Sequence, residues 1–286
     1  MQPTPGYAGR NAVLATMHGK ERAVAPVFQQ SVGLSVTAAS GLDTDQLGTF
    51  TGEIPRDGTM LEVAVRKARL GMRATGLPLG LASEGTFGPH PQVPFVAAAI
   101  ELMVLVDDER GLVVHEGLIA EATNFAQRVA APGIDLGGFL ARIGFPEHAL
   151  IVRPNSGDAS GALAKGIADR SRLDQAVAAA ATVSDDGQAR LETDMRAHLN
   201  PTRMRSLGAL AERLARRVAT PCPGCGTPGY GRTGARAGLP CEECGAPTEM
   251  IAAELYSCAL CTHCEARPRP DGLRAAGAGH CPMCNP

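Results

Sequence analysis

The sequence predicts a mixed α/β domain followed by a small, metal-stapled module. Three observations carry this. Short apolar runs alternate with amphipathic stretches over residues 11–217, the pattern of strands and helices in one layered domain. All nine cysteines of the 286-residue chain fall between Cys222 and Cys284. Aromatic residues make up only 3% of the chain and Trp is absent. The core must therefore be aliphatic.

The elements follow in order. Residues 11–17, "NAVLATM", form an apolar run that stops at a glycine-containing turn, as a buried strand does. Residues 20–33 have helical composition, and Pro26 predicts a short or kinked helix. Residues 34–39 suggest a second strand, and 41–58 are rich in loop formers. Residues 59–76 give the clearest helix: Leu61, Val65, Ala68 and Met72 share one stripe, and Gly76 suits the C-terminal cap. Residues 77–85 read as a buried strand stopping at Glu84-Gly85. Residues 94–106 and 112–117, joined by "DDERG", read as a hairpin. Residues 148–155 and 187–195 suggest strands, and 169–182 and 201–217 helices. Lys165 is expected in a loop of small residues. Together they make a mixed central sheet flanked by helices over residues 1–218, with a cysteine-rich domain at 219–286.

Within that second part, Cys222/Cys225, Cys241/Cys244 and Cys281/Cys284 are CxxC pairs. Two thiolates three residues apart form a knuckle, and two knuckles close a tetrahedral site. The glycines after Cys225 and Cys244 suit the turn. Eight ligands fill two zinc sites. Cys258 and Cys261 are favoured as the remaining knuckle after the strand "EMIAAELYS", which leaves Cys264 over. Pairing of adjacent knuckles and interleaved pairing are both open. His263 and His280 read as surface histidines. The two zincs would be structural, since a short tail with little apolar content needs such staples.

The formal net charge is −2, so nothing pulls the chain toward nucleic acid or anionic lipid. Residues 222–286 hold Arg232, Arg236, Arg267, Arg269 and Arg274 against six acids, which argues against a nucleic-acid-binding ribbon. No secretory signal is read at the N-terminus, and the longest apolar stretch is broken by Glu101 and too short for a bilayer. A cytoplasmic location and cysteines kept for metal are expected.

Only three lysines, Lys20, Lys67 and Lys165, stand among 27 basic residues. A compact ammonium on a flexible stem is not replaced freely by a guanidinium. Three such groups near strand ends suit a polyphosphate. Glu84 follows a buried strand, where open α/β sheets place ligands. Glu62 is shared between two roles, because Thr59-x-x-Glu62 is also a capping box.

These residues resemble the inosine and xanthosine triphosphate pyrophosphatases. That family has A-T-x-N-x-x-K where "ATMHGK" stands here, T-F-x-E-N-A-x-x-K-A where "TMLEVAVRKA" stands, and A-T-G-L-P before an acidic strand end where "ATGLPLGLASEG" stands. "AKGIADRSRLDQAV" and the final helix resemble its later segments more weakly. The whole chain also looks like an uncharacterised bacterial family, a domain of unknown function. The resemblance implies that Lys20 and Lys67 hold phosphates. It implies that Glu62 and Glu84 hold Mg²⁺ or Mn²⁺, with Glu84 alternatively activating water. Lys165 and Arg203 would meet phosphate or base, and Thr16 and His18 would line the turn. The sequence departs from the pattern at His18, which replaces an asparagine, and at Ser83, which stands where a second carboxylate is expected. His90 is expected in a loop. The expectation is a divalent-metal-dependent nucleotide or phosphate-ester hydrolase with a structural zinc module. The alternative is a non-catalytic nucleotide- or partner-binding protein on the same fold. The partner is a small phosphorylated molecule, with a homodimer left open.

Overall fold

The computed structural model describes residues 6–42, 57–157 and 164–286. Most of the loop-rich stretch 41–58 lies outside them. The chain is mixed α/β, and its strands divide between sheets. The first sheet has five strands in the order β2-β1-β3-β4-β5: β1 (Asn11–Leu14), β2 (Ser35–Ala38), β3 (Leu79–Pro89), β4 (Ala97–Asp107) and β5 (Leu112–Ala120). β1 runs parallel to β2 and β3, and β3, β4 and β5 form an antiparallel meander.

Strand alternation sorts the side chains. Leu14, Leu81, Met103 and Leu105 face one side. There they bury against α1 (Glu21–Val32), through Val24, Phe28 and Val32, and against α5 (Pro201–Val218), through Leu207, Leu210 and Leu214. Val13, Ala82, Val104 and Val106 face the other side and meet Ala64, Ala68 and Met72 of α2 (Met60–Thr75). α2 lies so close that a Cβ at Gly80 would stand 2.6 Å from Met72 Cγ and 2.9 Å from the Ala68 carbonyl oxygen. Both predicted caps of α2 are present, but its buried face runs through Ala64, Lys67, Ala68, Gly71 and Met72, so of the predicted stripe Ala68 and Met72 are buried while Leu61 and Val65 are half-buried at its margin. Pro26 sits inside α1, which nonetheless runs for 12 residues.

The expected central sheet is thus only part of the strand content. A second, antiparallel sheet has the order β6-β9-β7-β8: β6 (Gln127–Ala130), β7 (Leu150–Pro154), β8 (Ala164–Ile167) and β9 (Ala189–Thr193). It buries Leu150, Val152 and Leu191 against α3 (Gly137–Ile143) and α4 (Arg170–Val183). β6 and α3 were not legible. A four-residue strand and a seven-residue helix opening on Gly137-Gly138 carry no periodicity to detect. Lys165 lies in β8, an edge strand, and not in a loop.

The C-terminal module is a three-stranded antiparallel meander of β10 (Gly231–Ala237), β11 (Ile251–Ser257) and β12 (Cys264–Pro268). Its base is seated on the first sheet's domain. Arg217 Nε of α5 donates to the Gly229 carbonyl at 3.1 Å, Arg217 Nη1 donates to His115 O at 2.8 Å, and Ala259 packs against the main core. Among the described residues no helix is long and apolar enough to cross a membrane.

Candidate functional site

β1 ends at Leu14, paired with Leu81, while β3 continues against β4 as far as Pro89. Ser83 and Glu84 therefore stand on a strand whose β1-side edge is no longer paired to β1. The chain leaves β1 through Thr16, Met17, His18 and Gly19 (φ +67°) and enters α1. Because β2 and β3 lie on opposite sides of β1, this is the point at which strand order reverses, where α/β sheets open a crevice.

Two of the three lysines meet here. Lys20 Nζ donates to Ser83 Oγ at 3.0 Å and to Ser83 O at 3.2 Å. Lys67 Nζ of α2 lies 2.6 Å from Glu84 Oε1. Ser83 faces α1 and α5 and Glu84 faces α2, so the ammonium groups approach β3 from opposite faces around its open edge. Beside them Arg203 of α5 grips Glu101 of β4 with Nε at 2.6 Å and Nη2 at 3.1 Å, and its Nη1 donates to Met195 O at 2.5 Å. Both side chains are buried. Gly85 lies opposite Glu101, and a Cβ on it would fall 2.5 Å from Glu101 Oε2. Gly85 thus makes room for the ion pair inside a strand that continues past it. The Arg203 guanidinium also lies over the Phe87 ring, 4.9 Å from its centroid.

Burial dominates the electrostatics. It pushes Lys20 down to about 7, helped by Arg203 and Lys67 and opposed by Glu101 and Glu84. Burial, with Lys20 and His198 next, pushes His18 down to about 3, so His18 is neutral. The His18 ring stacks on His198, with centroids 5.2 Å apart. A cleft of about 460 Å³ opens beside the turn, lined by Thr16, Met17, Gly19, Glu21, Ala38 and Leu42 among others.

The remaining expected site residues lie elsewhere. Glu62 is exposed, and its carboxylate accepts from Thr59 N at 2.8 Å while Thr59 Oγ1 accepts from Glu62 N at 3.2 Å. The capping role has taken it. Lys165 belongs to the second sheet. His90 is a loop residue whose Nδ1 accepts from the backbone of Gln92 and Val93. A catalytic Mg²⁺ or Mn²⁺ does not fit these residues. Of the two carboxylates expected to hold it, Glu62 caps a helix and Glu84 is paired with Lys67, and Ser83 supplies no third charge. Among the described residues, only cysteines gather three or more metal-ligand side chains.

Those cysteines form two tetrads, Cys222/Cys225/Cys258/Cys261 and Cys241/Cys244/Cys281/Cys284, each with all sulfurs within 4.8 Å of one another. Pairing is interleaved, and the meander explains why. Each strand carries the chain from one end of the sheet to the other. Gly231 pairs with Ser257, so residue 258 returns beside the first knuckle, and β12 then leads back toward the second. Sulfur separations of 3.7 Å (Cys222–Cys261 and Cys225–Cys258), 3.6 Å (Cys244–Cys281) and 3.9 Å (Cys241–Cys284) match a tetrahedron. Zn–S bonds of about 2.3 Å set S···S edges of about 3.8 Å. Backbone N–H groups of Gly224, Leu260 and Cys261 point at Cys222 and Cys258 sulfurs, as thiolates require. Gly226 and Gly245 have φ of +74° and +72°, as the knuckle turns require. Both tetrads could hold zinc. Cys264 is the spare, its Sγ accepting from Ser257 Oγ.

Residues 67–286 match a family model described as a domain of unknown function, DUF6671. The chain belongs to that family. The DUF6671 match runs through Lys67, Glu84, Glu101, Arg203 and both tetrads, so one family model spans the crevice and the module; Thr16, His18, Lys20 and Glu62 precede its first residue. The DUF6671 description names no activity, and no curated protein matches the chain. Neither comparison brings in the inosine and xanthosine triphosphate pyrophosphatases.

Sequence reasoning missed Glu101 as a site residue. Its signal was present, since a lone carboxylate inside an apolar strand must find a buried partner. Ser83 and His198 carried no such signal.

Proposed function

We propose that the crevice binds an anionic group of a small phosphorylated molecule, and that the cysteine tetrads hold two structural zinc ions. One observation carries the crevice reading. Lys20, Lys67 and Arg203 come from three separate elements and gather where β1 ends, at the reversal point of the sheet. A cleft of pocket size opens at the adjoining turn, lined by Thr16, Met17 and Gly19 and not by the three cations themselves. The resemblance to nucleoside triphosphate pyrophosphatases favours a nucleotide as the ligand class. Binding is favoured over metal-dependent hydrolysis, because the carboxylates that a divalent ion needs are already engaged.

The test is a panel of nucleotides and phosphate esters against the zinc-loaded chain, read by calorimetry for binding and by phosphate or pyrophosphate release with Mg²⁺ or Mn²⁺ for turnover. Binding without release is expected. Glu84→Gln should tighten binding, since it frees Lys67 from a competing anion. Turnover that is abolished by Glu84→Gln would replace the binding reading with the hydrolase reading. Absence of both binding and turnover across the panel would sink the two together.

A further inference from the structure

The positive charges of the crevice are unequally answered. Lys67 faces Glu84, and Arg203 is chelated by Glu101. Arg196, the next cation along, is held by Asp194, with Nη2 2.6 Å from Oδ2. Lys20 differs. Among the described residues its amine meets no carboxylate within ion-pair distance; its hydrogen bonds go to the Ser83 hydroxyl and carbonyl, both neutral. It is only 6% exposed.

The charged and titratable groups around it come from every neighbouring element: His18 on its own turn, Glu84 on β3, Glu101 on β4, Lys67 on α2, Arg203 on α5 and His198 on the turn before α5. Three cations stand against two carboxylates, with His18 held neutral. Among the described residues a protonated Lys20 is therefore a buried charge with no counter-charge of its own, which a protein disfavours strongly. Its depressed affinity for protons agrees with that count.

We infer that Lys20 selects the ligand by proton uptake: an oxyanion entering the crevice supplies the missing counter-charge, and the Lys20 amine takes a proton from solvent as it binds. This rests on the anion-binding reading above and adds to it which group does the recognising and how pH governs it. The preferred ligand carries a tetrahedral oxyanion. Its affinity rises about tenfold for each unit of pH lowered while Lys20 is neutral in the free protein, and levels off below that range.

The experiment uses the full, zinc-loaded chain labelled uniformly with ¹⁵N and with ¹³C in its lysines. There are three lysines, so each Cε resonance is assignable by single Lys→Arg substitutions. A pH titration is run with chloride and then with sulfate at matched ionic strength, sulfate keeping a fixed charge throughout; ATP is added in a separate arm. Sulfate should move the Lys20 midpoint upward by a unit or more, and Lys20→Arg should bind sulfate with no pH dependence. If ATP perturbs Lys67 or the amides of residues 16–20 while the Lys20 midpoint stays put, proton uptake is overturned and the binding reading survives. If neither sulfate nor ATP perturbs those amides, Lys20 or Lys67, both are overturned. The wild-type titration decides the matter even if Lys20→Arg fails to fold.

Discussion

The crevice and the C-terminal module both bury polar atoms, at opposite ranges of sequence. In the module a half-site is four residues long, and two half-sites meet through one meander. In the crevice, Lys20 and Ser83 are separated by 63 positions and Glu101 and Arg203 by 102. The module brings together two thiol tetrads that could each close around an ion; the crevice is closed by side chains that neutralise one another, except that among the described residues Lys20 has no carboxylate at ion-pair distance. The two therefore fail differently: the module when its metal is lost, the crevice when one member of a pair is lost or when pH changes.

The largest effect expected is at the module. A structural four-thiolate zinc site supplies on the order of 10 kcal/mol of folding free energy. Cys241→Ser should release one metal equivalent and unfold the far end of the meander while residues 6–218 keep their hydrogen-exchange protection. Cys222→Ser, whose tetrad sits on α5 and β5, should in addition lower protection at the end of α5. Cys264→Ser should keep both metals. Metal content and exchange mass spectrometry read all three; equal damage from Cys241→Ser and Cys222→Ser would erase the distinction between the two ends.

Next comes the buried pair. Arg203→Met leaves Glu101 uncompensated in the interior, a loss of about 3–5 kcal/mol, read as a lower denaturation midpoint with both metals retained. The double change Arg203→Met with Glu101→Leu should recover much of it, because no charge is then stranded. No recovery would mean that Arg203 acts through packing on Phe87 instead.

The pH dependence is smaller per pH unit and has a definite sign. Lys20 drops from an ordinary value of 10.5 to about 7 on folding. Between those values the unfolded chain binds more protons, so stability rises with pH through that window, by at most about 1.4 kcal/mol per unit. His18, lowered from 6.5 to about 3, adds a loss of stability as pH falls below its ordinary value. Lys20→Met should flatten the upper limb and soften the lower one, since His18 loses a neighbouring charge while its burial remains, as urea denaturation midpoints across pH will show. The smallest effect expected is Thr59→Ala, about 1 kcal/mol from the lost cap of α2, with metal content and crevice unchanged; a change in ligand binding would return Glu62 to the site.

Particular residues show how far the sequence could be read. The helix at Thr59 to Gly76 was legible from its stripe and caps, because each signal lies within a few residues of the element that it marks. Lys67 and Glu84 could be named from rarity and strand position and Arg203 from a resemblance, but not that Lys67 would pair with Glu84 or Arg203 with Glu101. Glu84 was read as the end of a strand when β3 runs on to Pro89, since it is β1 that stops there.

By itself the sequence determined that the chain alternates strand and helix, that its cysteines gather in CxxC knuckles enough for two metal sites with one cysteine over, and that only three of its basic residues are lysines. Local spacing and composition encode such features. Only the tertiary structure decided that the knuckles pair first with third and second with fourth, that Glu62 caps a helix, and that the buried Lys20 amine meets Ser83 and, among the described residues, no carboxylate at ion-pair distance. Those outcomes depend on which strand lies beside which and where a neighbouring strand ends, and side chains more than sixty positions apart carry no mark of each other until the sheet brings them together.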